Sequence, residues 1–138
     1  MDVLRFLKKA LIKEVRARKL PVRIVYLYGS FARSTERAKS DIDLAFLFDE
    51  EAYCKNPLRY FMSVNEICGK LEKEIKREID LSILNRASLI FSYHVITSGR
   101  PLYLSSKTSL YKYECKIMGM FFDFKPFLDA YLIDYAKA

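Results

Sequence analysis

The 138 residues are 51% apolar and 30% charged, with 24 basic against 17 acidic side chains and a formal net charge of +7. That size and composition suit one folded globular domain over 1–138 and exclude both a disordered chain and a second core. No run supplies the roughly 18 apolar residues of a membrane span, and the basic, interrupted N-terminus is unlike a secretory signal, so the cytoplasm is the expected address.

Residues 2–18 are expected to form an amphipathic helix, because Val3, Leu4, Phe6, Leu7, Leu11 and Val15 keep one apolar stripe while Lys and Arg fill the rest. Pro21 ends it. Val22 to Tyr28 is β-branched and aromatic, the pattern of a buried strand, and stops at Gly29-Ser30. Residues 31–40 are polar and predict a helical turn followed by a loop. Asp41 to Phe48 predicts a second strand and Glu78 to Leu84 a third, separated by a helix from Pro57 to about Lys76. A helix near Ser88–Thr97 follows, capped by Gly99, then a short fourth strand at Pro101–Leu104. The tail over 107–138 is rich in Tyr and Phe and predicts a helix that Pro126 kinks or breaks. Helices alternating with strands imply an α/β or α+β fold, a small mixed sheet of about four strands with helices packed on it.

Three cysteines at wide spacing (Cys54, Cys68, Cys115) and one histidine (His94) supply too few ligands for a zinc site. They predict reduced, partly buried thiols and a structural histidine inside an apolar helix. The ten tyrosines and ten phenylalanines are expected mostly in the core. Without a histidine relay, carboxylates and a bound metal are where chemistry is to be sought.

Those carboxylates are present. Gly29-Ser30 follows a strand directly and opens a turn, which aims backbone N–H groups and a hydroxyl at an anion. Asp41 and Asp43 follow at i, i+2 spacing, on one face of a strand with Cα atoms about 7 Å apart. Two carboxylates that close repel, and Mg²⁺ relieves them because it binds a few carboxylates together with substrate phosphates. Asp80 sits in EIDLSIL where Asp43 sits in DIDLAFLF, so neighbouring strands would bring the two together; Glu78 shares its parity and is the rival.

Gly-Ser, ten residues, then Asp-x-Asp resembles the signature of the DNA polymerase β-like nucleotidyltransferase superfamily, in order over 22–104. GSFAR and SDIDL are similar to its minimal nucleotidyltransferase (MNT) branch, the MntA-type antitoxins of HEPN/MNT toxin–antitoxin pairs. The resemblance implies that Gly29 and Ser30 hold a triphosphate and that Asp41, Asp43 and Asp80 ligate Mg²⁺, with Asp80 as base. It implies phosphate contacts or a bracing role for Arg33, and a weaker phosphate contact for Lys39. The implied reaction is transfer of AMP from ATP, with release of pyrophosphate, to a tyrosine of a HEPN ribonuclease toxin.

With no acceptor-binding domain in the chain, a protein partner would bring most of the acceptor surface, and no membrane or stable nucleic-acid partner is expected. The aromatic tail and the basic first helix are its candidate contact surfaces. A non-catalytic antitoxin acting by occlusion, and nucleotidyl transfer to RNA or a small molecule, are the alternatives. The toxin role is excluded, because HEPN nucleases carry Arg, four to six residues, then His, and before His94 positions 87 to 89 are Ala, Ser and Leu.

Overall fold

The structure, a computed structural model, describes residues 2–29 and 41–137. Helix α1 (Val3–Ala17) starts at Asp2, whose carboxylate accepts from the Arg5 N–H, and buries Leu7, Leu11 and Val15. Strand β1 (Val22–Tyr28) leads to β2 (Ile42–Phe48), then α2 (Glu50–Lys55), α3 (Pro57–Ile75), β3 (Ile79–Ile83) and a single 3₁₀ turn (Leu84–Arg86). Helix α4 (Leu89–Ser98), strand β4 (Arg100–Leu104) and the long α5 (Lys107–Lys137) complete the described chain.

The sheet runs β3-β2-β1-β4. β1 is antiparallel to β2 and β4, whereas β2 and β3 are parallel, which the crossover through α2 and α3 makes possible. Both faces are covered, so five of the seven β1 residues are buried in succession and the strand reads as one apolar run. Beneath lie α1 and α3, packing Leu7, Leu11, Val64, Ile67 and Leu71 against Leu27, Ile42, Leu44 and Phe46. Above lie α4 and α5, over Ile24, Tyr26, Tyr28 and Ala45. A register shift between Val22 and Ile24 moves Val22 into the lower core and Ile24 into the upper one.

Three departures from expectation have physical causes. Helix α2 is too short to show a period; its signal is Asp49, whose carboxylate accepts from the Ala52 N–H, followed by Glu50 and Glu51 in the first turn. Helix α5 runs unbroken through Pro126. Pro126 has no N–H to offer the carbonyl four residues back, that of Phe122, a residue 57% exposed.

Most described aromatics lie in or against the two cores, but those late in the tail do not. Phe122, Phe124, Phe127, Tyr131 and Tyr135 are exposed, because only the first half of α5 lies on the domain. It is held by Tyr26, whose hydroxyl donates to Glu114 at 2.8 Å, and by Phe121 stacked on Tyr93 at 3.7 Å. His94 is exposed on α4 rather than enclosed. The thiols are free; Cys68 is buried and the other two are exposed.

Candidate active site

β1 ends at Tyr28, and Gly29 turns out of it with φ +79°, a left-handed conformation that only glycine adopts without strain. A second constraint acts there. A Cβ on Gly29 would overlap the Asp43 carboxylate at Oδ2, so the turn lies directly against that side chain. The glycine that the sequence marked for approach to a phosphate is thus also the residue that makes room for Asp43.

Pleat alternation puts Asp43 on the α4 side of β2 while Ile42 and Leu44 are fully buried on the other. The parallel register sets Asp43 beside Asp80, and the antiparallel register sets it beside Tyr28. The two carboxylates are within hydrogen-bonding reach of each other. Asp43 is accordingly pushed up from 3.8 to about 6, first by burial, then by the Asp80 charge and the hydrogen bond to it, and last by the Asp41 charge. Glu78 is not among the groups acting on Asp43; it precedes β3, and its carbonyl accepts from the Ile42 N–H.

Asp41 lies one residue before β2, and its charge acts on Asp43. Among the described residues no group of three His, Cys, Asp or Glu side chains is placed to hold a metal ion together. The arrangement is two carboxylates within hydrogen-bonding reach of each other, with the Asp41 charge felt at Asp43. That donor set fits Mg²⁺, which takes one or two carboxylates and completes its shell with water and phosphate oxygens. Ser30, Arg33, Lys39 and the turn expected at 31–40 lie outside the described residues.

Two polar residues that the sequence reading did not single out stand beside the carboxylates. The hydroxyls of Tyr28 and Ser82 are hydrogen-bonded at 3.2 Å. Burial raises the Tyr28 hydroxyl above its ordinary pKa, the bond to Ser82 pulls the other way, and the Asp43 and Asp80 charges raise it further. Their positions were the available signal: Tyr28 immediately precedes Gly29, and Ser82 is two residues beyond Asp80 on the same strand. At the opposite end of β2, a groove of about 640 Å³ lies between Phe48, Asn85 and the Lys112–Lys116 stretch of α5, and the carboxylates take no part in it.

The match to known proteins covers this geometry. The family model described as polymerase beta, nucleotidyltransferase, matches residues 10–108. A protein adenylyltransferase MntA from Aphanizomenon flos-aquae is 31% identical over 105 residues, which is 72% of this chain and 69% of that protein. One from Shewanella oneidensis is 30% identical over 93 residues, 67% of this chain and 62% of its own. Among solved structures, a toxin–antitoxin with AMP-PNP superposes with TM-score 0.70 at 26% identity, covering 95% of this chain and 98% of the other. The complex of tri-AMPylated Shewanella oneidensis HEPN toxin with MNT antitoxin shares the fold, with TM-score 0.68 at 23% identity over 98% of this chain and 99% of that one. With a glycine turn set against paired carboxylates inside the matched region, the chain belongs to the polymerase beta nucleotidyltransferase family.

Proposed function

We propose that this protein is an antitoxin-type protein adenylyltransferase of the cytoplasm, which transfers AMP from ATP to a tyrosine of a partner HEPN ribonuclease toxin and so neutralises it. The observation that carries the reading is the Asp43–Asp80 pair backed by Gly29. Two carboxylates held in mutual repulsion are costly to the fold and useful to a site that binds a cation with a polyphosphate. The matched MntA relatives and the AMP-PNP complex support ATP as the donor.

In this mechanism the turn at Gly29-Ser30 receives the triphosphate on backbone N–H groups and the serine hydroxyl, with Arg33 and Lys39 as further phosphate contacts. Asp43 and Asp80, with Asp41, would hold Mg²⁺, which would offset the charge of the triphosphate. The acceptor tyrosine oxygen attacks the α-phosphorus in line. A new O–P bond forms as the bond from the α-phosphorus to the β-bridging oxygen breaks, and pyrophosphate departs. Asp80, exposed on the edge strand, takes the hydroxyl proton. Positioning and charge compensation supply most of the rate enhancement in such a transfer.

Intact-mass spectrometry tests the reading after incubation with ATP, Mg²⁺ and a HEPN toxin. AMP increments on the toxin, absent with Asp41→Asn/Asp43→Asn, are expected. A tight complex with no mass change would favour occlusion, a second reading supported by the exposed aromatic half of α5.

A further inference from the structure

Tyr28, Asp43 and Asp80 form one row across three strands on the α4 side of the sheet. Tyr28 is 9% exposed, and its ring lies edge-on against Phe91, with centroids 5.6 Å apart at 88°. Gly99 brings the end of α4 close to β1: a Cβ there would meet the Val95 and Leu27 carbonyl oxygens at 2.6 and 2.7 Å and the Tyr28 Cβ at 3.0 Å. The ring is therefore held against α4, and its direction is set there.

That direction crosses a whole strand. The hydroxyl of Tyr28 on β1 meets Ser82 Oγ on β3, 3.2 Å away, with β2 between them. The β2 residue opposite Ser82 is Ala45, fully buried and small enough to let a ring pass over it. A polar pair inside a core ordinarily does no more than satisfy two hydroxyls. This one spans the strand that carries Asp43 and is anchored two residues from Asp80, on an edge strand that β2 pairs from one side only.

We propose that Tyr28 and Ser82 are positioning residues, whose hydroxyl pair sets the spacing of the Asp43 and Asp80 carboxylates and thereby the affinity of the site for its divalent cation. The inference rests on the nucleotidyl-transfer reading of that site. Neither residue touches the reacting atoms; both act through the carboxylates.

Tyr28→Phe removes one hydroxyl and keeps the ring, and Ser82→Ala removes the other. Mg²⁺ affinity is measured by calorimetry on the full chain with AMP-PNP present, and AMP transfer to the toxin is measured separately. Each variant is expected to weaken Mg²⁺ binding about tenfold and to lower kcat at saturating Mg²⁺ by a similar factor, as for partners that orient metal ligands. KM for ATP should hold steady, and the double variant should be no worse than Tyr28→Phe alone, since both lose one bond. Wild-type Mg²⁺ affinity in both single variants would overturn the proposal. So would additive losses, or losses that merely follow a fall in melting temperature. If the wild-type chain transfers no AMP at all, the nucleotidyl-transfer reading fails, while the calorimetry still judges the tie.

Discussion

The two faces of the sheet are built from alternate residues of the same strands yet do opposite things. On the α1/α3 face, β2 contributes Ile42, Leu44, Phe46 and Phe48, all buried among apolar neighbours. Charge on that side stays at the rim, where Glu14 ties α1 to α3 through Arg18, Glu66 and Lys70. On the α4/α5 face the same strand contributes Asp43, Ala45 and Leu47, and its neighbours include Tyr26, Tyr28 and Ser82. One face is an apolar core throughout; the other carries a smaller core and gives up some stability at one end to hold ionisable groups side by side. A period of two residues is enough to keep these roles apart.

That division can be broken from either side. Asp43→Asn should leave the fold intact and reduce AMP transfer by at least about a thousandfold, the scale of losing a main electrostatic contact in the site. Mass spectrometry of the toxin reads it, and transfer at the wild-type rate would refute the assignment of Asp43. Phe46→Ala on the other face should cost about 3–5 kcal/mol of stability by opening a cavity. At low temperature, where enough of it remains folded, each folded molecule should transfer AMP normally.

Gly29→Ala touches both roles, because it strains a left-handed turn and meets Asp43. A loss of about 1–2 kcal/mol is expected in thermal melts, with transfer reduced more than stability alone explains. Wild-type behaviour in both assays would show that the turn tolerates a side chain.

The smallest effect has the opposite sign. Asp43 has a folded pKa of about 6 against 3.8 for the free carboxyl. The folded state therefore binds the proton more tightly, and stability is lost as pH rises through that window. The penalty is absent below it and fully present above pH 6. Without Mg²⁺ at pH 7, Asp43→Asn should be more stable than wild type by about 1 kcal/mol once solvent screening is allowed for. The difference should vanish near pH 4. Glu14, Asp49 and Glu50, all held below the ordinary carboxylate range by their hydrogen-bonded partners, lose stability in the opposite direction under acid. Subtracting the two melting curves removes their contribution.

Much of this was legible in the residues. Strand β1 announced itself by an apolar run, and the shared IDL of residues 42–44 and 79–81 foretold the pairing of Asp43 with Asp80, because equal patterns in neighbouring strands fall into equal register. Glycine before the site was readable as a turn, but not as the space beside a carboxylate, since that requires knowing what packs against it.

Other features depend on tertiary context. The Val22–Ile24 irregularity leaves no mark in composition. Asn85 could not be foreseen either: beyond the end of β3 its amide accepts from the Phe48 N–H and donates to the Phe48 carbonyl, completing the ladder with a side chain. The exposed aromatics of α5 look like core residues in the sequence because only the position of the helix decides what lies beneath them.

The placement of Asp80 has a kinetic consequence. Of the two edge strands, β3 is the one that carries a site residue, and it is five residues long, paired on one side and brought in by a crossover. Short edge elements with non-local pairing open at lower free energy than a sheet interior and close late in folding. Loss of catalytic competence should therefore begin with peeling of β3, at temperatures where β1 and β2 still protect their amides from exchange. A cation shared between Asp43 and Asp80 would bind only the closed edge, and by mass action would keep it shut.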